Sequence, residues 1–350
     1  MSFTVQPLGN SAAKLYTFRN KNGMELAVTN IGAAVTKIVA PAADGQKIDV
    51  ALGYDSAEGY ENNRFYYGAT IGRYGNRIGG ASFKLGDTVV RLDKNEGNNT
   101  LHGGFDSYSN RVWQAEERLG EETSVTFRLK SPDGDQGMPG AADVAVTYSL
   151  TDDNSVVIHY RAVADKTTVF NMTNHSYFNL DGHDAGSVAG QFIWLDCDAF
   201  VVIDKEFIPT GELRPVKSTP MDFTTAKPIG RDVDADYEQL TAGGGYDHNY
   251  VINSPSLDKP CARAWSEKSG VEMRVYTDLP GVQLYGGNGM GGDSAGKSGA
   301  RYVRRGGFCL ETQYFPDSPN KPAFPSSVFE AGQPFDSVTI YRFSVAERRP

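Results

Sequence analysis

The chain has 350 residues, of which 39% are hydrophobic and 11% aromatic, and its formal net charge is -9. This apolar content is enough for a sizeable core and argues against a disordered chain. The negative charge, with no run of Lys or Arg longer than a pair, argues against nucleic acid or an anionic membrane surface as a partner.

The cysteines and the N-terminal residues indicate the cellular compartment in which the protein is expected. Cys197, Cys261 and Cys309 are odd in number and far apart, and they form no CxxC metal pattern. The first ten residues lack the basic and apolar regions of a secretory signal. No stretch approaches the ~18 apolar residues of a membrane span. We therefore expect a cytoplasmic protein.

The dominant pattern along the chain is an alternation of apolar and polar residues, which predicts β-strands. It is clearest over residues 123–130, 143–150, 155–163, 271–277 and 337–345. The polar residues 151–155 predict a hairpin between the second and third of these segments. Only 56–63 and 237–243 indicate short helical turns. The prediction is one all-β domain over 1–350, a large antiparallel β-sandwich.

The segment VFNMTNHSYFNL, residues 169–180, has an unusual polar side. Read as a strand, it places Phe170, Met172 and Phe178 on one side. The opposite side carries Asn171, Thr173, His175 and Tyr177. We expect this polar side to face a site.

A glycine-rich stretch contains two nucleotide-binding patterns. GGDSAGKS, residues 291–298, fits G-x-x-x-x-G-K-S, and GNGMGG, residues 287–292, fits G-x-G-x-x-G. Both patterns need a strand before them and a helix after them. The residues that follow do not predict a helix, so a surface loop is the preferred interpretation and a nucleotide site using Lys297 the weaker one.

Two further groups are candidates for chemistry. His102 lies in NEGNNTLHGG, where Gly103 and Gly104 would let the backbone approach a ligand. Glu311 lies in GGFCLETQYF, and partial burial there would hold its pKa near a working value. An exposed strand position explains Glu311 equally well.

Three segments, around residues 173, 283 and 311, thus combine a core side with a side of polar and aromatic groups. Gln283 and Tyr285 form that side in PGVQLY. Neutral polar groups beside aromatic rings suit a polyhydroxylated ligand, because hydroxyls take the hydrogen bonds and C–H faces lie on the rings. The pattern favours a sugar.

Seven stretches resemble the aldose 1-epimerase family. They are GRYGNRIGGASFKL, NNTLHGG, PDGDQGMPG, TNHSYFNL, GYDHNYVI, PGVQLYGGN and LETQYFPDSPN, and they run in the family's order from residue 72 to about 320. Gly286, where many relatives have threonine, and the glycine-rich stretch 289–300 depart from the family pattern.

The resemblance implies a large antiparallel β-sandwich with an open sugar cleft. It implies interconversion of the α and β anomers of free aldoses, with Glu311 as the catalytic base and His175 as the acid. The substrate contacts that it implies are Asn76, Arg77, His102, Asp247 and Gln283. No cofactor or metal would be required, the partner would be a monosaccharide, and the protein would be a monomer or homodimer.

Several alternatives remain open. A glycoside hydrolase would use Asp247 and Glu311 as its carboxylate pair. An epimerase of hexose 6-phosphates would need a cationic patch such as Arg304 and Arg305. A sugar-binding protein of the same fold without activity would more readily lack His175 or Glu311.

Overall fold

The computed structural model describes residues 2–9, 12–120, 123–292 and 295–346. None of the helices in these ranges is long and apolar enough to cross a membrane. The described residues form mainly antiparallel β-structure, which confirms the predicted all-β class.

The strands of the described residues, in chain order, are β1 Ser2–Pro7, β2 Lys14–Arg19, β3 Glu25–Thr29, β4 Ala34–Pro41, β5 Lys47–Asp49, β6 Thr70–Ile71, β7 Arg77–Ile78, β8 Ser82–Leu85, β9 Thr88–Arg91, β10 Thr100–Leu101, β11 Gln114–Arg118, β12 Ser124–Ser131, β13 Ala142–Leu150, β14 Ser155–Ala164, β15 Thr168–Val169, β16 Thr173–Asn174, β17 Phe192–Leu195, β18 Ala199–Ile203, β19 Pro209–Pro215, β20 Lys227–Pro228, β21 Asp247–Val251, β22 Ala262–Trp265, β23 Val271–Thr277, β24 Gly281–Tyr285, β25 Cys309–Gln313, β26 Val328–Phe329 and β27 Phe335–Val345.

Helical structure is short, as predicted. In the described ranges the two α-helices are α1 Ala57–Glu61 and α2 Glu238–Gly243, and the 3-10 turns are Gly79–Ala81, Tyr108–Asn110, Asp135–Gly137, Lys297–Gly299 and Ser318–Asn320. The hydroxyl of Ser56 caps α1 by accepting the N–H of Gly59 at 3.4 Å. Gly244, in the left-handed region at φ 64°, ends α2.

Three sheets supply the layers. A nine-stranded sheet has the order β11-β12-β13-β14-β27-β23-β22-β17-β20, and two five-stranded sheets have the orders β1-β2-β3-β4-β5 and β19-β18-β21-β24-β25. Strands β13 and β14 form the predicted hairpin, with Leu150 opposite Val156. Each of these strands buries one side in a common core, as its alternation predicts.

The packing of β25 on β27 fixes which side of β25 faces outward from the core. Tyr341 of β27 donates its hydroxyl hydrogen to the carbonyl of Leu310 at 2.9 Å, and the hydroxyls of Thr312 and Thr339 are also hydrogen-bonded. Because side chains alternate along a strand, Cys309 and Glu311 project from the opposite side. That side belongs to the site described below.

The segment 169–180 is not one strand, which corrects the prediction. Only β15 and β16 are regular there, and the residues between and after them are irregular. The amide of Asn171 is bonded to the main chain of Gly75 and Tyr314, at 2.8 to 3.2 Å. Polar side chains therefore replace part of the ladder in this segment, and Asn171 braces the backbone instead of facing a ligand.

The described residues of the glycine-rich stretch lack the helix that a phosphate-binding loop needs after it. Asp293 and Ser294 lie outside the described residues, and the 3-10 turn Lys297–Gly299 follows instead of a helix. The Lys297 ammonium is buried, where it donates to Asp49 at 2.7 Å and to the carbonyl of Thr36 at 2.9 Å. The lysine that a nucleotide site would use thus anchors the stretch to β4 and β5.

Replacing Lys297 by methionine tests this anchor. The change leaves the Asp49 carboxylate partly buried without its cation, so we expect the free energy of unfolding to fall by about 3–5 kcal/mol. Urea denaturation measures it, with exposed Lys205→Met as the matched control. Equal stability of the two variants would contradict a structural role for the buried pair.

Candidate active site

Three adjacent strands of one five-stranded sheet present the polar floor of a cleft. In the register of β24 and β25, Gln283 lies directly opposite Glu311. On the other side of β24, Asp247 begins β21, and its Oδ1 accepts a hydrogen bond from the Gln283 amide at 2.6 Å. The register therefore brings together three residues that are 28 to 64 positions apart in sequence.

Glu311 is buried, which settles the choice that its strand pattern left open. Only 3% of its side chain is exposed, and its Oε2 has no hydrogen-bond partner in the described part of the chain. Burial raises the pKa of Glu311 well above its ordinary value, and the nearby Asp247 carboxyl raises it further, while Arg77 opposes this shift.

His175 lies beside Glu311 at the other wall of the cleft. Its Nε2 is 3.7 Å from Glu311 Oε1, and its ring stacks with those of Tyr66 and Tyr177, at centroid distances of 5.8 and 5.0 Å. Burial lowers the pKa of His175 to about 4. The ring is therefore held in place and deprived of the water that would stabilise its charged form.

His102 is positioned by Asn76, its partner in a reciprocal contact. The backbone N–H of His102 donates to the backbone carbonyl of Asn76 at 3.0 Å. The backbone N–H of Asn76 in turn donates to the ring Nδ1 of His102 at 3.1 Å. Because Nδ1 accepts, neutral His102 carries its hydrogen on Nε2. Burial and the neighbouring His175 and Arg77 lower the pKa of His102 well below its ordinary value.

Gly103 shapes this loop in a way that the sequence did not predict. Its φ is +88°, and a Cβ there would lie 2.2 Å from the carbonyl oxygen of Gly72. The missing side chain thus allows the His102 loop to pack against the protein's own backbone. The predicted approach of this backbone to a ligand stays a prediction.

Arg77 reaches the cleft as a paired cation. Its guanidinium makes two hydrogen bonds to Glu96, at 2.6 and 2.7 Å, and lies over the ring of Phe207 at 4.5 Å. This bidentate pair fixes the plane of the guanidinium and offsets its charge. Arg77 can then offer its remaining N–H groups to a neutral ligand.

The cleft has a volume of about 150 Å³. All seven residues expected at a site line it: Asn76, Arg77, His102, His175, Asp247, Gln283 and Glu311. Tyr177 and Tyr285, which belong to the polar sides predicted to face a site, also line it. The lining residues that the sequence did not predict are Arg64, Phe65, Tyr66 and Leu101, and the segment NNRFYYG carries no alternation that could have identified them. Asn171 and Thr173 do not line the cleft.

His175, Cys309 and Glu311 form the one group in the described residues whose donor atoms could hold a metal ion, all within 4.8 Å of one another. However, the thiol is next to Nδ1, at 3.5 Å, and the carboxylate is next to Nε2. These nitrogens lie on different edges of the ring, so one ion could not use both contacts. The arrangement suits proton transfer better than metal binding.

The contact between His175 and Glu311 can hold one transferable proton in two ways. With the proton on His175 the pair is ionic, and with the proton on Glu311 it is neutral. The 3.7 Å separation favours the ionic form, but burial of both groups opposes both charges. Burial therefore favours the neutral form in the free cleft.

Comparison with known proteins gives consistent matches over nearly the whole chain. The family model described as "Aldose 1-epimerase" matches residues 14–342. Galactose mutarotase of Bos taurus is 36% identical over 97% of this chain and 96% of its own, and aldose 1-epimerase of Haemophilus influenzae is 38% identical over 94% and 95%. The solved structure of the GalM/aldose epimerase homologue from C. elegans superposes with a TM-score of 0.88 at 30% identity, covering 96% of this chain and 100% of that one.

The charge state of His175 is testable by titration. Because its pKa is lowered, the imidazole should stay neutral as the pH falls through 6.5 and should gain a proton only near pH 4. NMR of histidine-labelled protein would follow the ring signals through a pH titration. The signal that is missing in the His175→Gln variant belongs to His175. A midpoint between 6 and 7 in folded protein would contradict the effect of burial.

Proposed function

The chain belongs to the aldose 1-epimerase family, and we propose that it interconverts the α and β anomers of free aldohexoses such as galactose and glucose. The observation that supports this most is the contact of His175 with Glu311 in a cleft lined by hydroxyl-binding groups. Anomer exchange needs one group to remove the proton of the C1 hydroxyl and another to protonate the ring oxygen. One imidazole and one carboxylate, side by side, suffice for both.

Ring opening begins from the ionic form of the pair. Glu311 takes the proton of the C1 hydroxyl while His175, as imidazolium, gives a proton to the ring oxygen O5. The C1–O5 bond breaks, and C1 becomes the carbonyl carbon of the open aldehyde. Rotation about C1–C2 by about half a turn exposes the other carbonyl face, and the reverse transfers close the ring. Each positioned proton transfer contributes ~10²–10⁴-fold.

The neutral form of the pair is the one that opening leaves behind. Once the transfers are complete, Glu311 carries the proton and His175 is neutral, which is the form that burial favours. A bound sugar favours the other form, since its C1 hydroxyl can donate to the carboxylate while O5 accepts from the imidazolium. The sugar favours the ionic form and the buried surroundings favour the neutral form, so neither form is much more stable than the other when the sugar is bound.

The remaining groups of the cleft suit a neutral polyol. Gln283 Oε1 and Glu311 Oε2 are buried acceptors without a partner in the described residues. Since buried polar atoms are almost always hydrogen-bonded, a ligand rich in hydroxyl donors would complete them. Asp247 would accept from further hydroxyls, and Arg77 and the Nε2–H of His102 would donate. Tyr285 provides an aromatic face for C–H groups.

The cationic patch suggested for a hexose 6-phosphate lies apart from the cleft. Arg304 and Arg305 line a different cavity that shares no residue with it. Arg305 is already bound to Asp234 by two hydrogen bonds of 2.8 Å. A binding protein without activity would have no need to keep both His175 and Glu311 together.

Our proposal extends to the setting of the enzyme. Cys197, Cys261 and Cys309 are all free and buried, which fits a reducing compartment, and we place the chain in the cytoplasm. We further propose that residues 1–350 form one domain, acting as a monomer or homodimer, on a monosaccharide and without a cofactor or metal.

Glu311→Gln tests the proposal because it keeps the shape of the side chain and removes the base. We expect kcat/KM for fresh α-galactose or α-glucose to fall ~10²–10⁴-fold in polarimetry, and EDTA to leave the wild-type rate unchanged. His175→Gln should cost a similar factor, and the double variant little more, because the two groups act as a unit. The exposed Glu117→Gln is the matched control.

If the Glu311→Gln variant keeps more than half of the wild-type rate, Glu311 is not the catalytic base. The same assay distinguishes the alternatives. Activity confined to glucose 6-phosphate would favour the phosphorylated substrate, and release of reducing sugar from an aryl glycoside would favour hydrolysis.

A further inference from the structure

The group on the far edge of the His175 ring is a thiol. Cys309 Sγ lies 3.5 Å from His175 Nδ1, while Nε2 on the other edge faces Glu311. This sulfur is within hydrogen-bond distance of Nδ1, and the main chain of His175 itself makes a further hydrogen-bond interaction with the ring that opposes the lowering of its pKa. Cys309 is fully buried at the start of β25, two residues before Glu311, so both side chains leave the strand on the same side.

The imidazole ring cannot easily flip to exchange the positions of Nδ1 and Nε2. Its ring is nearly parallel to those of Tyr177 and Tyr66, with interplanar angles of 26° and 29°. The backbone N–H of His175 donates to the carbonyl of Ala69 at 2.9 Å, which fixes the start of the side chain. Nδ1 therefore stays with the thiol, and Nε2 with the reacting groups.

The proposed function, on which this inference rests, requires a particular tautomer. Nε2 must give a proton to the ring oxygen and later take it back, so Nδ1 must keep its own hydrogen in both steps. A neutral imidazole with its hydrogen on Nε2 would be too weak an acid and would have no lone pair facing the sugar. Loss of the correct tautomer disables an imidazole base even when its position is kept.

We propose that Cys309 is a positioning residue for His175. Its sulfur accepts the Nδ1 hydrogen and holds the tautomer whose Nε2 lone pair points at Glu311 and the sugar. Among the described residues, the titratable groups that face this ring are Cys309 and Glu311 from β25, Tyr285 from β24, and His102, Tyr66 and Tyr177.

A thiol suits this place because it accepts a hydrogen bond without adding charge. Burial and the nearby carboxyl groups of Glu311 and Asp247 raise the pKa of Cys309 well above its ordinary value, so the thiol stays protonated. A carboxylate at this position would stabilise the imidazolium and make it a weaker acid. The weakly accepting sulfur orients the ring and leaves its proton easy to transfer.

The second histidine gives an internal contrast. The backbone N–H of Asn76 donates to His102 Nδ1, which places the hydrogen of His102 on Nε2. With Cys309 accepting from His175, two neutral imidazoles whose centroids are 5.3 Å apart hold opposite tautomers. His102 is then a hydrogen-bond donor to the sugar, while Nε2 of neutral His175 is free to accept the proton that its imidazolium form gives to O5.

The tautomer can be read directly from the ring ¹⁵N shifts of histidine-labelled protein. In the wild type at pH 7 we expect His175 to carry its hydrogen on Nδ1, with His175→Gln assigning the signal. In Cys309→Ala we expect the Nε2–H form or a mixture. A wild-type Nε2–H form, or an unchanged tautomer in the alanine variant, would overturn the proposal.

Kinetics separate positioning from packing, because serine and alanine lose similar volume but only serine keeps an acceptor. Cys309→Ala should lower kcat about 10- to 100-fold with KM changed less than about twofold. Cys309→Ser should regain most of that loss. In the serine variant, the fall of kcat/KM on the acid side of the pH profile should begin at higher pH than in the wild type. A hydroxyl oxygen accepts more strongly from the imidazolium and so raises the pKa of His175. Equal losses in both variants, with an unmoved limb, would show a packing role only.

Cys261→Ser is the matched control, because the buried thiol of Cys261 donates a hydrogen bond to the carbonyl of Val275 and not to His175. It should leave the tautomer and the pH profile unchanged. The two proposals fail separately. A wild-type protein with the Nδ1–H tautomer but no anomer exchange would refute the proposed function and still support the assignment of Cys309.

Discussion

The contact between His175 and Glu311, removed from water, is the constraint on which the rest of the cleft depends. Either charge alone would be costly there, so the surroundings must hold the two groups together and let them share one proton. The stacked rings of Tyr66 and Tyr177 fix the imidazole, and the packing of β25 on β27 turns the carboxyl towards it. The fold thereby sets a distance, and the distance sets the chemistry.

The charged groups around this contact have partners, but hydrogen bonding is left incomplete. Glu96 offsets the guanidinium of Arg77, and the Gln283 amide donates to Asp247. In contrast, acceptors on Gln283 and Glu311 have no partner in the described residues. A site of this kind discriminates by hydroxyl groups, because a ligand without them leaves buried acceptors unpaired. Its aromatic walls add affinity without adding charge.

Sequence patterns predicted the strands well but not the loops. Alternation identified β13 and β14 because each buries one side in a continuous core. It failed over 169–180, where the Asn171 amide replaces ladder hydrogen bonds and the period of two loses its meaning. Pattern alone singled out His102, His175, Gln283 and Glu311, whereas Asn76, Arg77 and Asp247 and the role of each residue came from the family resemblance. No periodicity shows that Asp247 and Glu311 flank Gln283. That neighbourhood depends on strand order, which pairs segments distant in the chain.

A reaction that runs equally in both directions puts a particular demand on its acid and base. Each group donates a proton in one half and accepts one in the other, so transfer is easiest when their basicities are close. In water a histidine is the more basic of the two. Burial lowers the pKa of His175 to about 4 and raises that of Glu311, so the order of basicity in the free cleft is the reverse of that in water. The hydrogen bonds of a bound sugar favour the ionic form and oppose this reversal, which brings the two basicities closer together.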